Sequence, residues 1–187
     1  MKELTANRGT GLSPEEREEL LRIARSALAT YIAQGRMPDG TPAHVNLSAP
    51  GSAFVTLRSE ERLRGCIGYT EPHAPLVRTV QECVVAAATE DPRFPRVTAG
   101  EVGHLRIEIS VLSPFTPVRP VDVVPGVHGL MIRKGEHRGL LLPQVAIEQG
   151  WDRERFLSQV CVKAGLSKDA WKKEAELYSF TAEVFGE

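Results

Sequence analysis

The sequence predicts an α+β fold: a central, mostly antiparallel sheet flanked by helices, with room for a small second lobe. Three observations carry that prediction. Strand candidates come in pairs joined by short polar turns, the pattern of hairpins. The run Leu105-Arg106-Ile107-Glu108-Ile109-Ser110-Val111 alternates strictly, as a half-buried strand does. Helical segments do not alternate regularly with the strands, as a doubly wound parallel sheet would require.

The elements follow in order. Residues 1–12 lack apolar periodicity and read as a flexible tail, leaving 13–187 as the folded domain. Ser13-Pro14-Glu15-Glu16 is a capping box with proline at the first helical position, and Leu20, Ala24, Ala27, Leu28 and Tyr31 then share one stripe. Gly35 suits the C-terminal cap. Met37 to Ser52, rich in proline, glycine and small polar residues, reads as a long loop. Ala53–Leu57 and Leu63–Tyr69 form a strand pair connected through Arg58–Arg62. Pro75 opens a helix with Leu76, Val80, Val84 and Ala87 on one side, stopping at Asp91-Pro92. After the alternating strand, Gly129–Ile132 and Gly139–Leu142 pair about the turn Arg133-Lys134-Gly135-Glu136. Pro143 starts a short helix that ends near Gly150. Asp152 caps another with Phe156, Leu157, Val160, Cys161 and Ala164 inward, and Gly165 ends it. One turn around Trp171 and a final strand over Leu177–Phe185 complete the chain.

Composition narrows the function classes. The 187 residues are 42% hydrophobic and 25% charged, enough for a sizeable core without metal or disulfide staples. Twenty-three basic against twenty-four acidic residues give a net charge of −1, which offers no footprint for nucleic acid. Cys66, Cys83 and Cys161 are odd in number and form no CxxC pair, and His44, His73, His104, His128 and His137 lack ligand spacing, so no metal centre is indicated. The start has no apolar signal segment, and no apolar run of about 18 residues exists to span a membrane. The expected compartment is the reducing cytoplasm.

The segment Leu63-Arg64-Gly65-Cys66-Ile67-Gly68 concentrates the chemistry. In an extended strand Arg64 and Cys66 share a face, about 7 Å apart, and a neighbouring guanidinium favours the thiolate. Gly65 and Gly68 leave room for close approach of a ligand or another chain. Two readings stand: a thiol activated by Arg64, or a cysteine that is simply a small core residue. Cys83 and Cys161 lie on apolar helical stripes and read as core.

The same segment resembles the signature of the AMMECR family. Other stretches agree with it: Asp91-Pro92-Arg93-Phe94-Pro95, Glu108 to Pro114, Gly126-Val127-His128-Gly129-Leu130, Gly139 to Ala146, Glu148, Trp151 and Lys163-Ala164-Gly165. The resemblance covers nearly everything from Ser13 onward. It implies an α+β fold and, for prokaryotic members, association in the AmmeMemoRadiSam system with a Memo-type protein and a radical-SAM protein. It implies no established reaction and names no cofactor. The expected function is a binding or accessory subunit of those partners, with a small molecule or peptide as ligand; the alternative is an enzyme using Cys66 as nucleophile. The shared motifs single out Arg64 and Cys66 as catalytic candidates. They single out Asp91, Arg93, His128, Gln144 and Glu148 as substrate-binding candidates. Asp91 equally suits a turn cap before proline, and Arg93 an ion pair. Gln144 and Glu148, four apart, share a helical face.

Overall fold

The capping box at Ser13 starts α1 (Pro14–Gln34): Ser13 Oγ accepts from the Glu16 amide at 3.2 Å, and the Glu16 carboxylate accepts from the Ser13 amide at 2.8 Å. Gly35, at φ +68°, ends the helix by returning its amide to the Tyr31 carbonyl. The computed structural model describes residues 11–173 and 175–187. Most of the expected tail lies outside them, whereas Leu12 is only 8% exposed and its amide bonds the Glu183 carboxylate. A lone leucine carries no periodicity, so the sequence could not assign it to the core.

The described chain divides into two compact units. The first comprises Gly11–Leu112 and Glu183–Glu187. It holds α1, β1 (Ser52–Ser59), β2 (Arg62–Gly68), α2 (Leu76–Thr89), β3 (Leu105–Leu112) and most of β8 (Ala182–Gly186). Its antiparallel sheet runs β2-β1-β3-β8, placing β2 at an edge. Ala53, Val55 and Leu57 of β1, with Ile107, Ile109 and Val111 of β3, turn the apolar face of the sheet into the core. Helix α2 packs against both that sheet and α1, so all its residues but Arg78, Glu82 and Thr89 are buried. Cys83 sits at this interface, and burial pushes its thiol up to about 12.

The loop from 37 to 52 is fixed by buried polar groups on the helices. Asn46 Nδ2 donates to Glu16 at 2.9 Å, and the Ala43 amide donates to Glu19 at 2.6 Å. The His44 ring pairs with Glu19, and Gln81 Nε2 donates to the Pro38 carbonyl at 3.2 Å. Burial raises the Glu19 carboxyl, but the Ala43 amide and the His44 ring hold it, on balance, below the ordinary value.

Ser113–Ala182 forms the second unit, corresponding to the small lobe the sequence left room for. It contains β4 (Thr116–Pro117), β5 (Gly129–Lys134), β6 (His137–Leu141), α3 (Pro143–Glu148), α4 (Arg153–Lys163) and β7 (Glu176–Phe180), with sheet order β4-β7-β5-β6. Val123, Leu130, Ile132, Ala146, Phe156, Leu157, Val160 and Cys161 form its core. The hairpin turn tightens to Gly135-Glu136, since Lys134 already pairs with His137 and Gly135 supplies φ +59°.

The α+β class stands, with the strands shared between two antiparallel sheets. The final expected strand differs: Leu177–Phe185 is not one element but two, β7 and β8, in different sheets. The break falls at Thr181, whose carbonyl accepts from the Ser113 amide at 2.9 Å and whose amide donates to Ser113 Oγ at 2.9 Å. Continuous β-propensity hides such a change of partner, because strand preference does not encode which neighbour is paired. Among the described residues no helix is long and apolar enough to cross a membrane.

Candidate functional site around Cys66

Strand β2 meets β1 through a two-residue turn, Ser59 pairing with Arg62 and Glu60 adopting φ +55°. The register then shifts: Arg58 pairs with Leu63 while Leu57 pairs with Gly65, leaving Arg64 as the extra residue of a bulge. The strict alternation that would place Arg64 squarely beside Cys66 is broken there. Arg64, with a side chain only 12% exposed, donates from Nε to Glu101 at 2.8 Å and from Nη1 to the Pro95 carbonyl at 2.8 Å. The Arg64 guanidinium, then the Thr98 amide, hold the Glu101 carboxyl down at about 2.

Cys66 is half-buried and lies opposite Thr56, whose hydroxyl donates to Sγ at 3.3 Å. Its backbone is gripped from the sheet edge. The Cys66 amide donates to Asp91 Oδ2 at 2.9 Å, and the Cys66 carbonyl accepts from Arg93 Nη2 at 3.5 Å. Arg93 in turn forks onto Asp91, Nε to Oδ1 at 3.0 Å and Nη2 to Oδ2 at 2.7 Å, the bidentate arrangement that suits a guanidinium. The Asp91 side chain is 2% exposed and that of Arg93 55%. The Arg93 guanidinium outweighs the cost of burial and, with the Cys66 amide, holds the Asp91 carboxyl well below the usual carboxylate range.

The two glycines are filled from opposite faces. A Cβ at Gly65 would run into the Ala87 carbonyl of α2, and one at Gly68 into the Phe54 ring. The close approach foreseen at these positions is therefore made by the chain's own helix backbone and by an aromatic side chain.

Cys66, Asp91 and Arg93 thus form one cluster, and Arg64 flanks it while bonded elsewhere. His128, Gln144 and Glu148 belong to the second unit. His128 closes a tight turn, its amide donating to the Val124 carbonyl at 2.9 Å and its Nδ1 accepting from the Val124 amide at 3.2 Å. Gln144 is half-buried on α3 and Glu148 exposed at its end. Among the described residues no three His, Cys, Asp or Glu side chains group as metal ligands would. Two cavities in the first unit have other walls. One of about 390 Å³ is lined by Tyr31, Ile32, Gly35 and Arg96 to Ala99, and one of about 350 Å³ by Glu15, Glu18, Glu19, Arg22, Ala43 and His44.

Two contributors were absent from the sequence-derived site, Thr56 and Glu101. Glu101 carried a signal, because Thr98-Ala99-Gly100-Glu101 has capping-box spacing and the Thr98 amide and hydroxyl both donate to Glu101 at 2.8 Å. Thr56 carried none, since only strand register sets it opposite Cys66.

Residues 21–185 match the family model described as AMMECR1. Protein MK0488 of Methanopyrus kandleri is 42% identical, the match covering 96% of this chain and 92% of that one. A protein of Thermococcus onnurineus is 45% identical over 91% of this chain and 89% of its own. The fold is similar to that in the crystal structure of the uncharacterized protein PH0010 from Pyrococcus horikoshii, with a TM-score of 0.85, 40% identity and coverage of 90% of this chain and 89% of that chain. With its sequence matched over most of its length and its fold shared with a relative at this identity, the chain belongs to the AMMECR1 family.

Proposed function

We propose that this protein is a binding or accessory subunit that acts alongside Memo-type and radical-SAM partner proteins. One observation carries the reading: Arg64, the cation nearest Cys66 in sequence, is bonded to Glu101 and the Pro95 carbonyl. A guanidinium already matched by a carboxylate has little charge left to favour a thiolate or to recruit an anionic substrate. Asp91 and Arg93 likewise neutralise one another while holding the Cys66 backbone. The cluster is built to keep an edge strand and its flanking loop rigid, which is what a docking platform needs.

The test is co-purification of the tagged chain with Memo-type and radical-SAM proteins from one host, across a range of salt. Association of wild type and of Cys66→Ser alike is the expected result. Failure of either partner to associate at any salt overturns the reading.

A second reading, an enzyme with Cys66 as nucleophile, draws on the half-exposed thiol and the Thr56 hydroxyl at 3.3 Å. It requires Cys66 to alkylate rapidly in the folded protein with an apparent pKa well below the free value of about 8.5. A thiol as inert as Cys83 and Cys161 until unfolding removes that reading.

A further inference from the structure

An edge strand presents a row of N–H and C=O groups to any extended segment that can align with it. In an antiparallel ladder, the incoming residue engages both the N–H and the C=O of one residue at alternate positions. Strand β2 ends the first sheet, and Cys66 has both groups turned away from β1. Among the described residues neither meets a strand. The Asp91 carboxylate takes the N–H at 2.9 Å, and the Arg93 guanidinium reaches the C=O at 3.5 Å. An acceptor and a donor therefore stand where a neighbouring residue's C=O and N–H would stand. The bidentate fork between Asp91 and Arg93 fixes both in place. The other half of the strand carries the Arg64 bulge, a second device that interrupts edge pairing.

The strand behind this guard is self-complementary. Antiparallel pairing of two β2 strands about a two-fold axis at Cys66 sets Ile67 opposite Gly65, on the part of the strand beyond the Arg64 bulge. A two-fold contact uses one patch twice, so each copy offers the same backbone N–H and C=O at Cys66. We propose that the Asp91–Arg93 pair is an edge guard: it occupies the hydrogen-bonding positions on β2 that a second copy of this chain would otherwise fill through its own β2.

The experiment compares wild type with Asp91→Ala/Arg93→Ala, using native-state amide exchange at Cys66, sedimentation velocity and cross-linking by a short bis-maleimide. Cys83 and Cys161 are buried, so a cross-link between folded copies reports Cys66. In the variant, at concentrations too low for self-association, exchange at Cys66 is expected to rise by about tenfold or more, as it does when an amide loses its partner. The variant should also self-associate at micromolar concentration, with cross-links that vanish on adding Cys66→Ser. A variant that keeps its far-UV circular dichroism yet sediments as wild type, with no Cys66 cross-link, overturns the proposal. So does association without that cross-link, because another surface is then responsible. Asp91→Asn serves where the double variant does not fold: it keeps an oxygen for the Cys66 amide but loosens the Arg93 grip. It should cross-link more than wild type, and behaviour identical to wild type overturns the proposal.

Discussion

Asp91 shows what one buried carboxylate holds. It accepts from the Cys66 amide 25 residues away and from the amide and guanidinium of Arg93. Asp91→Ala leaves a backbone N–H and a guanidinium without their acceptor, so urea unfolding should show a loss of about 2–3 kcal/mol. Glu101 acts through a more exposed pair, with a side chain 37% accessible, and its effect is better read against pH than as an energy. Its carboxyl is lowered from 4.5 to about 2, so it contributes stability above about pH 4.5, and that contribution is lost as pH falls through about 2. Glu101→Gln should flatten the pH dependence of unfolding between those limits; an unchanged slope there would mean the pair adds nothing. At this scale legibility follows sequence distance. The Asp91–Arg93 fork spans two residues and was open to reading as an ion pair. The Arg64–Glu101 bond spans 37 and depends on a bulge that no periodicity announces.

Elements record the balance between pattern and partner. Helix starts and stops were readable because their chemistry is local: Ser13 and Asp152 each accept an amide from three residues on. The hairpins were readable because short polar turns join apolar runs, although both turns are tighter than the residues between the runs suggested. What the elements touch was not readable. Gly65 could be recognised as a place of close approach, but not that the backbone of α2 at Ala87 makes it. Gly65→Ala has no space and must push β2 from α2, which should cost about 1–3 kcal/mol in thermal or urea unfolding. A variant as stable as wild type would mean that the helix can shift freely.

On the scale of the whole molecule, the second unit is one continuous stretch inserted between two strands that neighbour each other in the first sheet. Strand β3 ends at Leu112 and β8 begins at Ala182. The Glu187 amide bonds the Ile107 carbonyl at 3.2 Å, so antiparallel pairing brings Leu112 and Ala182 close together. Replacing residues 113–181 with a short turn should therefore leave a folded first unit, seen as dispersed amide resonances and a cooperative melt. A molten product would show that this sheet needs the inserted residues. The two cores belong to different units, with cluster members such as Leu20 and Ile107 in one and Phe156 and Ile132 in the other. Sequence patterning placed Leu20, Ile107, Phe156 and Ile132 on apolar stripes or strands, but left others such as Leu12, Leu47 and Val123 unassigned. It did not sort them, since an apolar stripe records burial and not the company it keeps.

The insertion also means that chain continuity and sheet continuity are separate properties here. A backbone cut at the Gly135-Glu136 turn would give two fragments, one carrying β1, β2 and β3 and the other carrying β8. The ladders of β3 with β8, of β4 with β7 and of β5 with both β6 and β7 would join those fragments, so the fold depends on strand pairing across the cut rather than on the peptide bond alone.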